Sequence, residues 1–211
     1  PKESPYLSLC VLFRMPLFFF ISGFFAYSAK TAWSLPMLGR LLWKKLRIQI
    51  VPTAVFFALF IIMLHRSSWE KAIELLQHDT KGGYWFTLVL LQMFVLYYLF
   101  AYAESFFKPR LQRLRMAWLP IALFWLLALG AYATWYMPSW FHYQKEAWLQ
   151  WSSFSQTIIF LHFFLSGNLV RRHWHRVERL FDTSWFPALI LFVAILMLCE
   201  HFRWHELRKQ W

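Results

Sequence analysis

Apolar residues run in long, nearly continuous stretches along this chain, and short clusters of cations separate the stretches. Six of them have the length and character of helices that cross a hydrocarbon layer: approximately 11–29, 48–64, 85–104, 117–137, 155–170 and 185–202. A helix needs roughly 20 apolar residues for that crossing, and only helices or closed barrels satisfy their backbone hydrogen bonds there. The runs lack the period-two alternation of a lipid-facing barrel strand, so the expected architecture is all-α, a polytopic transmembrane helical bundle with about six spans. The shortest runs are 48–64 and 155–170. Outside them, "SSWEKAIELLQ" (67–77) opens with capping serines and places Trp69, Ala72, Ile73 and Leu76 on one face, which predicts a short helix lying along an interface. No repeat, flexible linker or low-complexity tract divides the chain, so residues 1–211 are expected to form a single integral domain.

Composition identifies the solvent. Of 211 residues 60% are hydrophobic and only 15% charged, whereas soluble domains are nearer about 25% charged. A water-soluble domain of this size could not hide 24 Phe and 14 Trp without exposing large apolar patches. The expected partner is therefore the lipid bilayer. The net charge of +12 would point to nucleic acid in a soluble protein, but here the cations recur after hydrophobic spans rather than along one polar face. Topology accounts for them. Segments 30–47, 105–116 and 171–184 carry thirteen Lys and Arg between them, against seven in the alternate segments and the tail after 202. Cytoplasmic loops hold the excess of cations, which places both ends of this chain outside. Cys10 and Cys199 sit near the ends of apolar runs, with no CxxC and no metal-ligand spacing of histidines, and are read as inert.

One stretch calls for chemistry. "FRMPLFFFISGFF" (13–25) keeps Arg14 at the mouth of an apolar run, with Pro16 beside it and Ser22-Gly23 further in. Arg14 can snorkel to the headgroups, or it can face the bundle interior and hold an anion or a polarised oxygen. Gly23 permits close helix approach. This stretch resembles the second membrane helix of the acyltransferase family 3 membrane enzymes. Further similarities follow in order: "RLLWKKLRIQIVP" (40–52) resembles the family's basic stretch leading into a helix, "GGYWFTLVLL" (82–91) its "WFL" helix opening, and "FLHFFLSGNLVRR" (160–172) a later helix ending in a basic loop. Within the family the similarity is greatest to glucan-succinylating C-type proteins and sugar O-acetylases.

The resemblance implies an enzyme of the bacterial inner membrane. It would take an acyl group, acetyl or succinyl, from acyl-CoA at the cytoplasmic side and place it on a carbohydrate hydroxyl of a cell-envelope glycan, with no bound cofactor. The family's candidate base, a His ten residues after an Arg on the preceding helix, would lie before Pro1. With about ten spans usual in the family, the chain is expected to be incomplete at both ends.

Acyl transfer to a hydroxyl needs a base, donors for the developing oxyanion, and cations for the CoA phosphates. Arg14 matches the family position and is the candidate catalytic residue, orienting the acceptor or stabilising negative charge. Arg40, Lys44, Lys45 and Arg47 are the candidate acyl-CoA ligands, since cations within two helical turns can converge on one anion; the same residues also serve positive-inside topology. Trp85, Ser22 and His162 are the candidate acceptor-binding residues. Each has a plainer reading: Trp85 as an interfacial belt residue, Ser22 as helix packing, His162 as a hydrogen bond to a neighbouring helix. Ser22 is not a nucleophile, because no base stands at a readable spacing. Glu104 and Glu200, at span ends, read as interfacial, and His173 and His175 as solvated. A transporter or flippase, or a non-catalytic membrane scaffold, is the competing reading. The first should bring symmetric halves or intramembrane acid pairs, and neither is visible.

Overall fold

The computed structural model describes residues 5–28, 33–64, 85–113, 116, 118–135, 147–183 and 185. Among them the only regular elements are α-helices: α1 (Pro5–Ala26), α2 (Leu35–Leu64), α3 (Trp85–Arg113), α4 (Leu119–Trp135), α5 (Ala147–Ser152), α6 (Phe154–Arg172) and α7 (Trp174–Phe181). The expected all-helical class is met. By length and composition, Trp85–Arg110 is the one described stretch that could cross a membrane unaided, with Phe13–Ala26 and Leu119–Thr134 shorter apolar helices. The 67–77 interfacial helix and the 185–202 span fall almost wholly outside the described residues.

Helix α6 stands at the centre and touches α1, α3, α4, α5 and α7. Ring contacts give the directions. Phe160 meets Phe19 of α1 (5.1 Å between ring centroids) and Trp85 of α3 (6.0 Å), while further along α6 Arg172 lies over Tyr27 and pairs with Glu104. Helices α1, α3 and α6 therefore run parallel. Helix α4 runs against them: Tyr132 packs on His162, and Trp125 donates its indole N–H to the Ser166 hydroxyl at 2.9 Å. Helix α2 is likewise antiparallel to α3, with Trp33 near Tyr98 and Lys45 over Phe94. This alternation is the one that successive crossings of a layer would produce.

The α1–α6 contact depends on two glycines. A Cβ on Gly23 would overlap the backbone carbonyl of Phe164, and one on Gly167 would overlap that of Phe20. Small residues let parallel backbones approach closely enough for Phe19, Phe164 and Leu165 to be fully buried beside them. The outward faces are apolar too: Phe13, Leu17, Phe18, Ile21 and Phe25 form an exposed stripe on α1, and Val51, Val55, Phe56, Leu59 and Ile62 one on α2.

The expected loop over 30–47 is corrected in part. Residues 35–47 are the first half of α2, continuous with the apolar run that follows. Leu, Lys and Arg are strong helix formers, so "RLLWKKLR" continues the helix although its charge marks a segment boundary. Pro36 sits in the first turn, where its missing N–H costs no helical bond. A left-handed Ser153 (φ 52°) joins α5 to α6. There the Gln92 side chain of α3 donates to the Ser152 carbonyl (2.7 Å) and accepts from the Thr157 hydroxyl (2.6 Å).

Candidate functional site

At the end of the bundle where α1 and α6 stop, α3 continues beyond them and α2 and α4 begin, the helices enclose a cavity of about 210 Å³. From α3 it takes Tyr97, Ala101, Glu104, Ser105 and Lys108, residues that recur at three- and four-residue intervals and so share one face. Tyr27 and Ser28 enter from the end of α1, and Arg172 and His173 from the end of α6. Trp33 and Trp118, each just before a helix, complete the wall.

Arg172 organises this end. Its two terminal nitrogens donate to the two oxygens of Glu104 at 2.7 and 2.8 Å, and its Nε donates to Asn168 Oδ1 at 2.9 Å. The guanidinium also lies over the Tyr27 ring, 5.1 Å from its centroid. Asn168, fully buried, passes the link on by donating to the Gly23 carbonyl at 3.4 Å. One chain of contacts thus ties α3, α6 and α1 together. Burial alone would pull the Arg172 guanidinium down; the Glu104 hydrogen bonds and charge outweigh it and hold it above the usual arginine range. The bidentate fork is the geometry for which arginine, not lysine, is suited.

The residues that the sequence nominated lie elsewhere. Arg14 is exposed on α1, on the same side as Phe18, Ile21 and Phe25. Ser22 is half-buried on the same helix. Trp85, at the far end of α3, stacks on Phe160 with 21° between the rings and packs near Phe19. His162 is buried, 8% exposed, between Tyr132 and Phe163, and among the described residues its Nδ1 has no hydrogen-bond partner. The basic cluster divides. Arg40, Lys44 and Arg47 line one exposed side of α2, while Lys45 turns inward with its ammonium 3.6 Å from the centre of the Phe94 ring. Four cations converging on one anion is therefore not the arrangement seen. None of these eight residues lines the cavity.

Sequence reasoning missed Glu104, Asn168 and Arg172. Glu104 reads as interfacial at a span end and Arg172 as one cation of the 171–184 segment, but their pairing spans 68 positions and follows only from the parallel course of α3 and α6. The available signal was an acid, an amide and an arginine at the same depth of two helices that alternation makes parallel. Among the described residues no group of three His, Cys, Asp or Glu side chains could hold a metal ion.

No curated protein and no solved structure matches the chain. The family model described as an acyltransferase domain, that of acyltransferase family 3, matches residues 2–203. That match takes in the 13–25 stretch, the whole α1–α3–α6 core and every residue of the cavity. A match extending from the second residue through the end of the last apolar run places the chain in acyltransferase family 3.

Proposed function

We propose that this acyltransferase is a polytopic protein of the bacterial inner membrane that moves an acyl group, acetyl or succinyl, from acyl-CoA to a carbohydrate hydroxyl of an envelope glycan. The observation that carries the donor side is the position of the cavity: it opens at the end of the bundle where the cation-rich segments gather, the end that the positive-inside bias assigns to the cytoplasm. Acyl-CoA is a cytoplasmic polyanion, and cations at that end favour its approach. Among the described residues the outward stripes of α1 and α2 are apolar, which is what a lipid surround favours. No pair of acids inside the described helices favours the transporter reading.

In the transfer, a hydroxyl oxygen attacks the thioester carbonyl, its proton passes to a base, and the bond to sulfur breaks to release the CoA thiolate. Arg14 is assigned the negative charge that develops on the carbonyl oxygen or the orientation of the acceptor. The exposed side of α2, with Arg40, Lys44 and Arg47, is assigned to phosphate attraction. Trp85, Ser22 and His162 remain proposed contacts of the acceptor.

The test is transfer from labelled acyl-CoA in membranes at matched protein abundance. Arg14→Lys keeps the charge and loses the planar fork, so turnover falls; Arg14→Ala loses both, and turnover falls by roughly two to three orders of magnitude, the range for a removed oxyanion donor. Wild-type turnover in both variants removes Arg14 from the site. Replacing Arg40, Lys44 and Arg47 together by Gln raises the KM for acyl-CoA, whereas Lys45→Gln, which faces Phe94, leaves it within about twofold. No acyl transfer by the full-length wild type would favour the transporter or scaffold.

Orientation is checked separately, in protein whose Cys10 and Cys199 are replaced by Ala. A cysteine at Asp182 stays shielded from an impermeant thiol reagent in intact cells, and one at Gln77 is labelled. The reverse pattern moves the cavity to the outer face.

A further inference from the structure

Resting on the donor reading above, we infer that the cavity holds the adenine end of the donor, with the base against its aromatic wall and one phosphate at Lys108. Volume gives the first reason. About 210 Å³ lies below the roughly 300–1,000 Å³ of sites that enclose a drug-sized molecule, so the cavity takes one part of acyl-CoA and not the whole. The wall gives the second. Trp33, Trp118 and Tyr27 bring three accessible aromatic side chains to a small space, beside the buried Tyr97, which suits a flat ring; the flexible pantetheine arm makes no such demand. The Ser28 hydroxyl lines the same cavity, and so does Ser105, which donates its proton to the Tyr102 carbonyl at 2.6 Å and keeps its oxygen as an acceptor for the edge of a base.

Charge gives the third reason. Glu104 occupies the guanidinium of Arg172 through both terminal nitrogens, so that arginine is not available as a phosphate ligand. The two charges cancel across the cavity wall. What remains is Lys108, exposed at the rim one helical turn beyond Glu104, a single ammonium suited to a single phosphate. The exposed cations of α2 lie outside the cavity and are left for the remaining phosphates.

The experiment compares acyl-CoA with acyl-pantetheine, which carries the same thioester without the nucleotide, and measures competition by adenosine 3′,5′-bisphosphate. Wild-type protein prefers acyl-CoA in KM by about tenfold or more, and the bisphosphate competes with it. Trp33→Ala and Lys108→Gln each reduce that preference, the first by about tenfold on the usual worth of a stacked base, and each weakens the competition. Lys108 is exposed, so its variant tests the site even if Trp33→Ala folds poorly. Equal KM values for the two donors in wild type, or a preference unchanged in both variants, overturns the inference and leaves the donor reading intact. If neither donor supports transfer, the donor reading fails. Thermal stabilisation by adenosine 3′,5′-bisphosphate, present in wild type and lost in Lys108→Gln, then still supports a nucleotide site, and its absence in wild type overturns it.

Discussion

Gly167→Val lowers the yield of folded, monodisperse protein by about tenfold or more, whereas Gly130→Ala leaves it unchanged. Both glycines lie inside helices, and only their neighbours differ. A Cβ on Gly167 would meet the Phe20 carbonyl carbon at 2.8 Å and the Phe24 nitrogen at 2.9 Å, while one on Gly130 would meet nothing within 4 Å among the described residues. Backbone cannot rotate aside as a flexible side chain can, so α1 and α6 must separate. Separation opens the buried Phe19 and Phe164, and it lengthens the Asn168 hydrogen bond to Gly23 and the approach of Arg172 to Tyr27. Overpacking a core costs typically about 1–3 kcal/mol, and an obstacle made of backbone belongs at the upper end. Gly23→Ala meets the Phe164 backbone and should behave like Gly167→Val. Gly39→Ala, with no described residue within 4 Å of the added Cβ, is the second control and should gain slightly, by up to about 1 kcal/mol of helix propensity. Gel-filtration profiles and thermal midpoints of the four variants in detergent check the result; equal loss at Gly167 and Gly130 would refute the close crossing.

Removing either partner of the Glu104–Arg172 pair costs about 3–5 kcal/mol, the range for a buried charge left without its counter-ion. The side chains are 13% and 12% exposed, so water compensates little for the missing partner. Glu104→Gln keeps the shape but removes the charge that balances Arg172. Arg172→Lys keeps the charge but cannot engage both carboxylate oxygens and Asn168 at once. Combining Glu104→Gln with Arg172→Gln removes both charges, and the double variant loses less than the two single losses added together, because two neutral amides need no counter-ion. The measurement is a double-mutant cycle on thermal stability, with a coupling of about 1–3 kcal/mol expected between residues in contact. Additive effects would mean that the pair is idle.

Arg172 also shows where a sequence stops being legible. Its place at the end of an apolar run was plain, and so was the sign of the segment it opens. Its partner was not, because Glu104 is 68 positions away and nothing local to either residue marks the other. The Lys45 orientation was hidden for a related reason: on α2 it adjoins Lys44, and only the direction of α3 decides which of the two turns inward. Gly23 was legible as a point of close approach, since small residues serve that purpose wherever helices pack in lipid.

What the sequence by itself determined was five of the helical runs, the clustering of cations between them and, through the order of four motifs, the family. These depend on local properties: apolar length, charge count and residue spacing. The inward and outward faces were decided only by tertiary structure. In water a buried face is apolar and an exposed one polar, so periodicity separates them. In α1 the residues against α6 and those on the exposed stripe are alike Phe, Leu and Ile, as they would be where lipid lies on one side and protein on the other, and the amphipathic signal disappears. Arg14 lies on that exposed side and Glu104 in the cavity wall for reasons of packing, which a pattern of apolar residues does not encode.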